Sequence, residues 1–310
     1  MRNPSGLGAL VLVALLAAAC SGTAASASPS GAPSAASSIA PSVAPSATPD
    51  TCAPANLTLK TAGALTIGSD NPAYPPYFAA SSPNPSPWEL GDPTNGQGFE
   101  AAVAYAVADA MGFSKDKVAW QVTAFNNATG PGAKDFDLYI QEVSYSADRA
   151  QAVDLSDGYY DVAQSVVAVK GNKLATTTSI AALKDFQFGA QVGTTSLSVI
   201  NTVINPSKAA KIYDTNNAAI EALKNGQIDG LVVDLPTAFY VTGYPQVENS
   251  VIVGQFTLAT GEHFSLVLDK GSSITPCVNA AIAKIKADGS LAKLTQEWLA
   301  DKASAPLFQP

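Results

Sequence analysis

The chain has 310 residues, with 17 Lys and Arg against 25 Asp and Glu residues and a net charge of −8 at neutral pH. No basic run occurs, which argues against a nucleic-acid partner or docking on anionic lipid head groups. Because His263 is the only histidine, a metal site built from histidines is excluded. Phosphate-binding glycine loops and the G-x-S-x-G motif are also absent, so we expect no catalytic residues, no metal site and no cofactor.

The first segment, residues 1–19, is predicted to be an export signal. Arg2 is followed by an apolar run from Leu7 to Ala19 that is too short to span a membrane. The run ends in small residues directly before Cys20, which resembles a bacterial lipoprotein signal whose cysteine is acylated. We therefore expect a lipid anchor on Cys20 at the outer face of the cell membrane or in the periplasm. Ordinary secretion with cleavage nearby is the alternative.

The next segment, residues 20–51, is predicted to be a disordered tether. From Ser21 to Pro49, every residue except Ile39 and Val43 is Ala, Ser, Pro, Gly or Thr, and none is charged. Such a composition buries too little apolar surface to offset the entropy of ordering. With a lipid at one end, this tether would hold a folded domain away from the membrane.

The two remaining cysteines favour a disulfide. With Cys20 assigned to a lipid, Cys52 and Cys277 are left as a pair in an oxidising compartment. Cys52 opens the folded region and Cys277 opens a late helix, so a bridge would close a very long loop. Two free thiols that never meet are the alternative.

Helix and strand patterns alternate along the folded region. Strands are predicted at "GALTIGSD", "KVAWQVTAF", "FDLYIQ", "DVAQSVVAVKG", "FQFGAQV", "IDGLVVD" and "SVIVGQF". Helices are predicted at "GFEAAVAYAVADAMG", "SIAALKD", "TSLSVINTV", "AAIEALKNG" and "PTAFYVTG", and two more end the chain. This order predicts an α/β fold with mostly parallel sheets flanked by helices.

Three features are candidates for ligand contact. Asp234 ends an apolar strand, where open α/β sheets bind ligands, although it equally suits the cap of the following helix. The threonines of "VGTTS" lie at the junction between a predicted strand and a predicted helix. This position indicates either an anion site or N-capping alone. Tyr74 lies in the proline-rich loop "NPAYPPYF", where it would either contact a ligand or pack in the core or on the surface. Arg149 is the only arginine besides Arg2, in a chain that otherwise uses lysine.

Taken together, six motifs resemble the extracytoplasmic solute-binding proteins of polar amino acid ABC importers (solute-binding protein family 3). They are "GSDNPAYPPYF", "GFEAAVAYAVADAMG", "VSYSADRAQAVDLSDGYYDV", "FGAQVGTTS", "ALKNGQIDGLVVDLP" and "IKADGSLAKLTQEWL". The resemblance covers about Leu57 to Lys302. It implies a two-lobe periplasmic-binding-protein-like fold of type II, with two hinge strands and a ligand in the cleft between the lobes. Lobe 1 would comprise 57–158 and 264–302, lobe 2 would comprise 163–260, and the hinge crossings would be 159–162 and 261–263.

The resemblance also implies a set of ligand contacts. Arg149 matches the arginine that binds the ligand carboxylate, with Ser144 and Thr195 beside it. Asp234 matches the acid that binds the α-ammonium. Tyr74 and Phe125 match the rings that sandwich the ligand side chain, and Asp70 lines the same pocket.

Two features depart from the family pattern. Glu142 occupies a position that is often small, Gln141 beside it is also bulkier than usual, and Gln191 faces the same region from lobe 2. We expect Glu142 either to bind a cationic ligand side chain, to pair with Arg149, or to point away from the pocket. The inserted loop 79–97, which carries Trp88, would either cover the cleft or lie on the surface.

The implied function is transport without catalysis. The protein would be a monomer that captures an amino acid and delivers it to an ABC permease and its ATPase. One alternative is a sensor that signals to a partner, and another is an enzyme resembling cyclohexadienyl dehydratases with Glu142 as its acid.

Overall fold

The structure is a computed structural model that describes residues 50–244, 246–257, 261–300 and 304–310. The predicted signal segment, the predicted lipidation of Cys20 and nearly all of the predicted tether lie outside the described residues. Within the described part, no helix combines the length and hydropathy needed to cross a bilayer. The mixed α/β class that the sequence predicted is confirmed.

The strands and helices are defined as follows. The strands are β1 (Leu65–Ser69), β2 (Val118–Val122), β3 (Leu138–Tyr139), β4 (Asp154–Leu155), β5 (Tyr160–Asp161), β6 (Gln164–Val169), β7 (Phe188–Gln191), β8 (Lys211–Tyr213), β9 (Gly230–Asp234), β10 (Ser250–Gln255), β11 (His263–Phe264) and β12 (Val267–Leu268). The helices are α1 (Phe99–Ala110), α2 (Phe125–Thr129), α3 (Arg149–Ala152), α4 (Ile180–Leu183), α5 (Thr195–Val199), α6 (Asn216–Lys224), α7 (Leu235–Gly243), α8 (Thr275–Ala287) and α9 (Ser290–Leu299).

Lobe 1 is built on a sheet with the strand order β2-β1-β3-β12-β4. Every residue of β1 is buried, and β1 pairs in parallel with both β2 and β3. A strand covered on both faces needs a continuous apolar run, which "LTIG" largely provides. Helices α1, α8 and α9 pack together beside the sheet, and Phe99, Val103 and Val107 of α1 are buried at the helical spacing that the sequence predicted.

Lobe 2 is built on a sheet with the strand order β10-β6-β9-β7-β8. Strand β7 pairs in parallel with β8 and β9, as predicted, but β6 runs antiparallel to both of its neighbours. The prediction of mostly parallel sheets was therefore wrong for this half of lobe 2, and also for lobe 1 at β12, which runs antiparallel to β3 and β4. The reason is connectivity: β6 carries the chain out of the first crossing, whereas β10 carries it back towards the second.

The two chain crossings between the lobes pair with each other. Strand β5 runs antiparallel to β11, with Tyr160 opposite Phe264. The ring of Phe264 also packs against Tyr77 and Tyr159, at centroid separations of 6.1 Å in both cases. The contact with Tyr77 joins β11 to the core of lobe 1, and the contact with Tyr159 joins it to the first crossing. The predicted lobe boundaries stay predictions.

The predicted disulfide is present. Cys52 and Cys277 are bonded, with their Cα atoms 5.4 Å apart at a sequence separation of 225. Cys277 is buried in the first turn of α8, so the bridge fixes the beginning of the folded region to lobe 1.

One predicted strand ends early, and the inserted loop takes one of its two predicted positions. The strand predicted at "KVAWQVTAF" ends at Val122, and Phe125 instead begins α2. Most residues between 80 and 90 are exposed, so the insertion 79–97 lies on the surface of lobe 1, which was one of its two predicted alternatives. Its Trp88 is only 5 % exposed and belongs to the core of lobe 1, and its backbone at Pro87 and Glu89 hydrogen-bonds the amide side chain of Asn71.

Candidate functional site

A polar cavity of about 60 Å³ lies between the two sheets. It is lined from lobe 1 and lobe 2 together by Asp70, Asn71, Pro72, Tyr74, Phe125, Gln141, Glu142, Ser144, Arg149, Gln191, Thr194, Thr195, Ser196, Thr215, Asn216, Val233 and Asp234. All nine side chains that the sequence predicted as ligand contacts are among these residues. The structure therefore brings the predicted set together, while their contact with a ligand remains a prediction.

Arg149 is 8 % exposed and begins α3 at the lobe 1 side of the cavity. Its guanidinium donates to the backbone oxygen of Ser144 and, across the cleft, to the backbone oxygen of Gly193 at 2.9 Å. It also lies 5.5 Å from the centroid of the Phe125 ring, within cation–π range. A guanidinium has five N–H donors in a planar fork, so two held by carbonyls leave others directed at the cavity.

Arg149 has no carboxylate partner within ion-pair distance in the described part of the chain. The pairing of Glu142 with Arg149, one of the alternatives for Glu142, is therefore absent. Burial lowers the pKa of Arg149, and the negative charges of Asp234 and Glu262 oppose this shift. An arginine stays protonated under such conditions, so the cavity holds a fixed positive charge.

Asp234 occupies the carboxyl end of β9, on the lobe 2 side of the cavity. It precedes α7 but its side chain makes no capping hydrogen bond, so the helix-cap alternative is wrong. Instead, its carboxylate accepts from Gln164 at 2.6 Å, because Gln164 is its cross-strand neighbour in β6. Burial raises the pKa of Asp234 well above the usual value, and the charge of Glu262 adds to the rise.

Gln164 connects several groups on the lobe 2 side. Its amide also donates to Glu262 at 2.9 Å and to the hydroxyl of Thr195 at 3.2 Å, and its amide oxygen accepts from Ser196 at 2.6 Å. The capping alternative for "VGTTS" applies to Thr194 alone, whose hydroxyl accepts from the Leu197 amide. Thr195 is therefore not used as the cap and lines the cavity.

Glu142 forms part of the cavity wall and is 8 % exposed, so the alternative in which it points away is wrong. Its backbone has a positive φ of 50°. One carboxylate oxygen accepts from Gln141 at 3.2 Å and the other from Thr237 of lobe 2 at 3.3 Å. Burial raises its pKa well above the usual value, and the nearby charges of Glu100 and Asp234 add to the rise.

Directly behind Glu142 lies Glu100, in the first turn of α1 and fully buried. Its Oε1 atom accepts from the Glu142 amide at 2.7 Å and from the hydroxyl of Tyr159, a residue of the first crossing. Its Oε2 atom is buried without a hydrogen-bond partner in the described structure. Burial raises the pKa of Glu100 to about 7, so this carboxyl holds its proton to a higher pH than an exposed glutamate does.

The remaining lobe 1 residues form the cavity wall around Glu142. Asp70 accepts from the amides of Asn71 at 2.8 Å and Phe125 at 3.1 Å, and burial raises its pKa. Tyr74 and Phe125 are largely buried and line the cavity. Gln141 accepts from the Ser69 hydroxyl at 2.6 Å, which holds its side chain beside the cavity.

Hydrogen bonds cross the cleft beside the cavity. Tyr74 donates to Asn217 at 2.9 Å, and the hydroxyls of Tyr77 and Thr237 lie 3.1 Å apart. Together with the bond from Arg149 to Gly193, they place the two lobes in direct contact around the cavity. Gln191, predicted to face this region from lobe 2, is buried at the end of β7.

Sequence reasoning missed Glu100, Gln164, Thr237 and Asn217. Glu100 and Gln164 resemble ordinary polar residues at the start of a helix and a strand, respectively. Thr237 and Asn217 become relevant only because lobe 2 folds over Glu142 and Tyr74. A polar residue interrupting an apolar pattern was the one available signal, and it applies only to Gln164 before "SVVAV".

Charges in the cavity are unbalanced. Asp70, Glu142 and Asp234 line it with carboxyl groups, and Arg149 is the one cation among the lining residues. Burial of several carboxyl groups near one another raises each pKa, because ionising one opposes ionising the next. The site is therefore built to receive positive charge opposite the acids and negative charge opposite Arg149.

Comparison with known proteins gives relatives with the same architecture. A "probable histidine-binding protein" of Neisseria gonorrhoeae is 27% identical over 79% of this chain and 91% of its own length. The arginine-binding extracellular protein ArtP of Bacillus subtilis is 23% identical over 77% of this chain and 92% of its own length. Among solved structures, an ancestral arginine-binding protein bound to glutamine is 27% identical, with a TM-score of 0.62, over 77% of this chain and 98% of its own length.

The family itself is defined by a match over most of the folded chain. Residues 78–301 match the profile of the bacterial extracellular solute-binding proteins, family 3. This span includes the whole lobe 2 sheet, the lobe 1 sheet except β1, and all of the cavity wall except Asp70, Asn71, Pro72 and Tyr74. The two-lobe fold and the family resemblance are confirmed, and the chain belongs to the bacterial extracellular solute-binding proteins of family 3.

Proposed function

We propose that this protein captures an amino acid in the cleft and delivers it to an ABC importer when the lobes close. The observation that carries the proposal is the placement of Arg149 and Asp234 on opposite lobes around one cavity. An amino acid zwitterion has a planar carboxylate that matches a guanidinium fork and an ammonium that matches a carboxylate. Among the described residues that line the cavity, Arg149 is the one cation, and Asp234 is the acid on the opposite lobe.

The division of these partners between lobes explains how binding would drive closure. A ligand held by Arg149 of lobe 1 and Asp234 of lobe 2 gains both contacts only when the lobes approach. Thr195 would add a hydroxyl donor to the carboxylate, and Ser144 holds the guanidinium through its carbonyl. A ligand shifts a conformational equilibrium by its difference in affinity for the two states, and this arrangement supplies that difference.

The acids that remain favour a ligand whose side chain is also cationic. After Asp234 is assigned to the α-ammonium, Glu142 and Asp70 still face the cavity without a cation. The rings of Tyr74 and Phe125 offer a surface for a cationic or planar side chain. Relatives named for histidine and arginine agree with this class, so we propose a basic amino acid with Glu142 as its side-chain partner.

Delivery would require attachment to the membrane and contact with a permease. The signal and the tether predicted before Cys52 support a lipid anchor on Cys20, which would keep a monomeric receptor close to the permease and its ATPase. Growth with radiolabelled palmitate tests this step, since a Cys20→Ala variant should lose both the label and membrane association.

A thermal-shift screen of the twenty amino acids, polyamines and keto acids tests the binding function. A ligand present at 100 times its Kd adds about 2.7 kcal/mol to the free energy of unfolding, which is readily seen as a higher Tm. We expect one or a few amino acids with cationic side chains to raise the Tm. If no amino acid raises it, the binding proposal is wrong.

A dehydratase-like enzyme is the second candidate, and the state of Glu142 is the observation that favours it. A buried carboxyl with a raised pKa is the group that a general acid requires. Incubation with prephenate or arogenate, followed by product analysis, distinguishes the candidates. The receptor proposal predicts no product, whereas turnover that Glu142→Gln abolishes would establish the enzyme.

A further inference from the structure

The chain crosses between the lobes a third time after α9. Helix α9 packs on α1 and α8 in lobe 1, and Leu299 in its last turn is buried there. The following described segment, residues 304–310, lies instead on lobe 2. The predicted architecture has two crossings, so this connection adds to the ordinary pair of hinge strands. We call residues 304–310 the strap.

The strap is attached to lobe 2 by backbone hydrogen bonds at two places. Beside the end of β10, Gln255 donates to Pro306 at 2.8 Å and accepts from Phe308 at 3.0 Å. Beside α4, Gln309 donates to Thr178 at 2.8 Å and its own carbonyl accepts from the Ile180 amide at 2.8 Å. Because β10 is the edge strand of the sheet, the strap covers backbone groups that would otherwise face solvent.

An aromatic anchor fixes the strap in the core of lobe 2. Phe308 is 5 % exposed and packs on Phe256, with ring centroids 5.0 Å apart. A Cβ atom at Gly254 would lie 2.9 Å from the Phe308 ring, so the glycine leaves the space that the ring occupies. Its neighbour Leu307 is 52% exposed. The attachment therefore rests on Phe308 and the backbone, and the strap is part of lobe 2.

The connection between α9 and the strap is short. Only residues 301–303 separate Ala300 from Ser304, and four residue steps of fully extended chain span at most about 14 Å. Leu307 lies beside Tyr160 and Asp161 of the first crossing, at a shallow pocket that it lines with them. The length of chain between Ala300 and Ser304 therefore limits how far the end of α9 can move from the strap.

We propose that the strap is a third hinge element, which restricts rotation of lobe 2 against lobe 1 and favours the closed arrangement. Two adjacent crossing strands allow the lobes both to bend and to twist about them. A third connection of limited length opposes the twist and shortens the range of bending. Loss of this connection therefore shifts the ligand-free protein towards arrangements in which the lobes lie further apart. This inference does not depend on which solute the cleft binds.

A longer connection tests the proposal without removing the anchor. Insertion of eight Gly and Ser residues between Ala300 and Ser304 leaves Phe308 in place but abolishes the length restriction. We expect a larger radius of gyration for the ligand-free protein. We also expect hydrogen exchange on the order of tenfold faster at the hinge amides of Tyr159 and Val162, which bond to the second crossing.

Two further variants separate restriction from stability. Phe308→Ala should detach the strap and produce the same opening, together with a lower Tm because it also removes core packing. Gln309→Ala shortens an exposed side chain of the strap and keeps its backbone hydrogen bonds, so it should leave both properties unchanged. If the lengthened protein has the radius and the hinge exchange of the wild type, the strap is only an edge cover and the proposal is wrong. Because no ligand is added, this result is independent of the binding function.

Discussion

The backbone amide of Glu142 donates to the Glu100 carboxylate at 2.7 Å, which joins the wall of the cavity to a fully buried acid. The same Glu100 oxygen accepts from Tyr159 in the first crossing. One carboxyl group therefore contacts both the candidate binding site and the hinge. The protonation state of Glu100 therefore affects its hydrogen bonds to the Glu142 backbone and to the first crossing.

Replacing Glu100 with glutamine should flatten the pH dependence of stability. Burial raises the pKa of Glu100 from 4.5 to about 7, so the folded state binds more protons than the unfolded state between these values. The free energy of unfolding contributed by this group is therefore highest below about pH 4.5 and falls as the pH rises to about 7. The full effect is about 3 kcal/mol.

Urea unfolding of the wild type and of Glu100→Gln at several pH values between 4 and 8 measures this effect. Glutamine keeps an oxygen that accepts from Glu142 and Tyr159 but does not ionise, so the variant should gain stability relative to the wild type as the pH rises. Glu297→Gln changes an exposed acid on α9 and serves as the control. Parallel pH profiles for Glu100→Gln and the wild type would contradict the assignment.

Replacing Arg149 with lysine should weaken amino acid binding on the order of 100-fold, because charge-assisted hydrogen bonds of this kind contribute about 1.5–3 kcal/mol. Lysine keeps the charge but loses the planar fork that bonds to Gly193 and Ser144 while facing the cavity. Isothermal titration with the ligand found by thermal shift gives the Kd. Lys208→Arg, at an exposed site, controls for the exchange of these residue types. Near-wild-type affinity in Arg149→Lys would remove its assigned role.

The sequence was sufficient to predict which residues line the site, but not the hydrogen bonds that connect them. All nine predicted contacts line the cavity because short motifs at strand ends determine which side chains face the cleft. Glu100 was not predicted, since its burial depends on Tyr159, which is 59 residues away in sequence. Thr237 contacts Glu142 across 95 residues for the same reason. The antiparallel position of β6 and the strap likewise follow from long-range connectivity, on which local periodicity carries no information.

Replacing Glu142 with glutamine should reduce the preference for cationic side chains. We expect the affinity for a basic amino acid to fall on the order of tenfold or more, because the variant removes a buried charge opposite the ligand cation. The affinity for a neutral amino acid should be unchanged or higher. Titrations of arginine, lysine, histidine and glutamine with both proteins measure the difference, and Glu248→Gln, at an exposed position, is the control.

Proton release gives a second measure of the same contact. Because the pKa of Glu142 is raised, the free protein carries protons on its acidic cluster that a bound cation would displace. Calorimetry in two buffers of different ionisation enthalpy should therefore show proton release with the wild type and less with Glu142→Gln. If all four amino acids bind equally to both proteins, Glu142 does not select the side chain, whereas the receptor function would stand.

Opening the disulfide should lower the free energy of unfolding by about 2–5 kcal/mol. The bridge between Cys52 and Cys277 closes a loop of 225 residues, so its main effect is to restrict the unfolded chain. Cys52→Ala, Cys277→Ala and the double variant should lose nearly the same stability, since removal of either sulfur already opens the bridge. Such non-additivity is the signature of a coupled pair, and urea unfolding measures it. Two small and additive losses, or thiol labelling of both cysteines in the denatured but unreduced protein, would show that the bridge does not form.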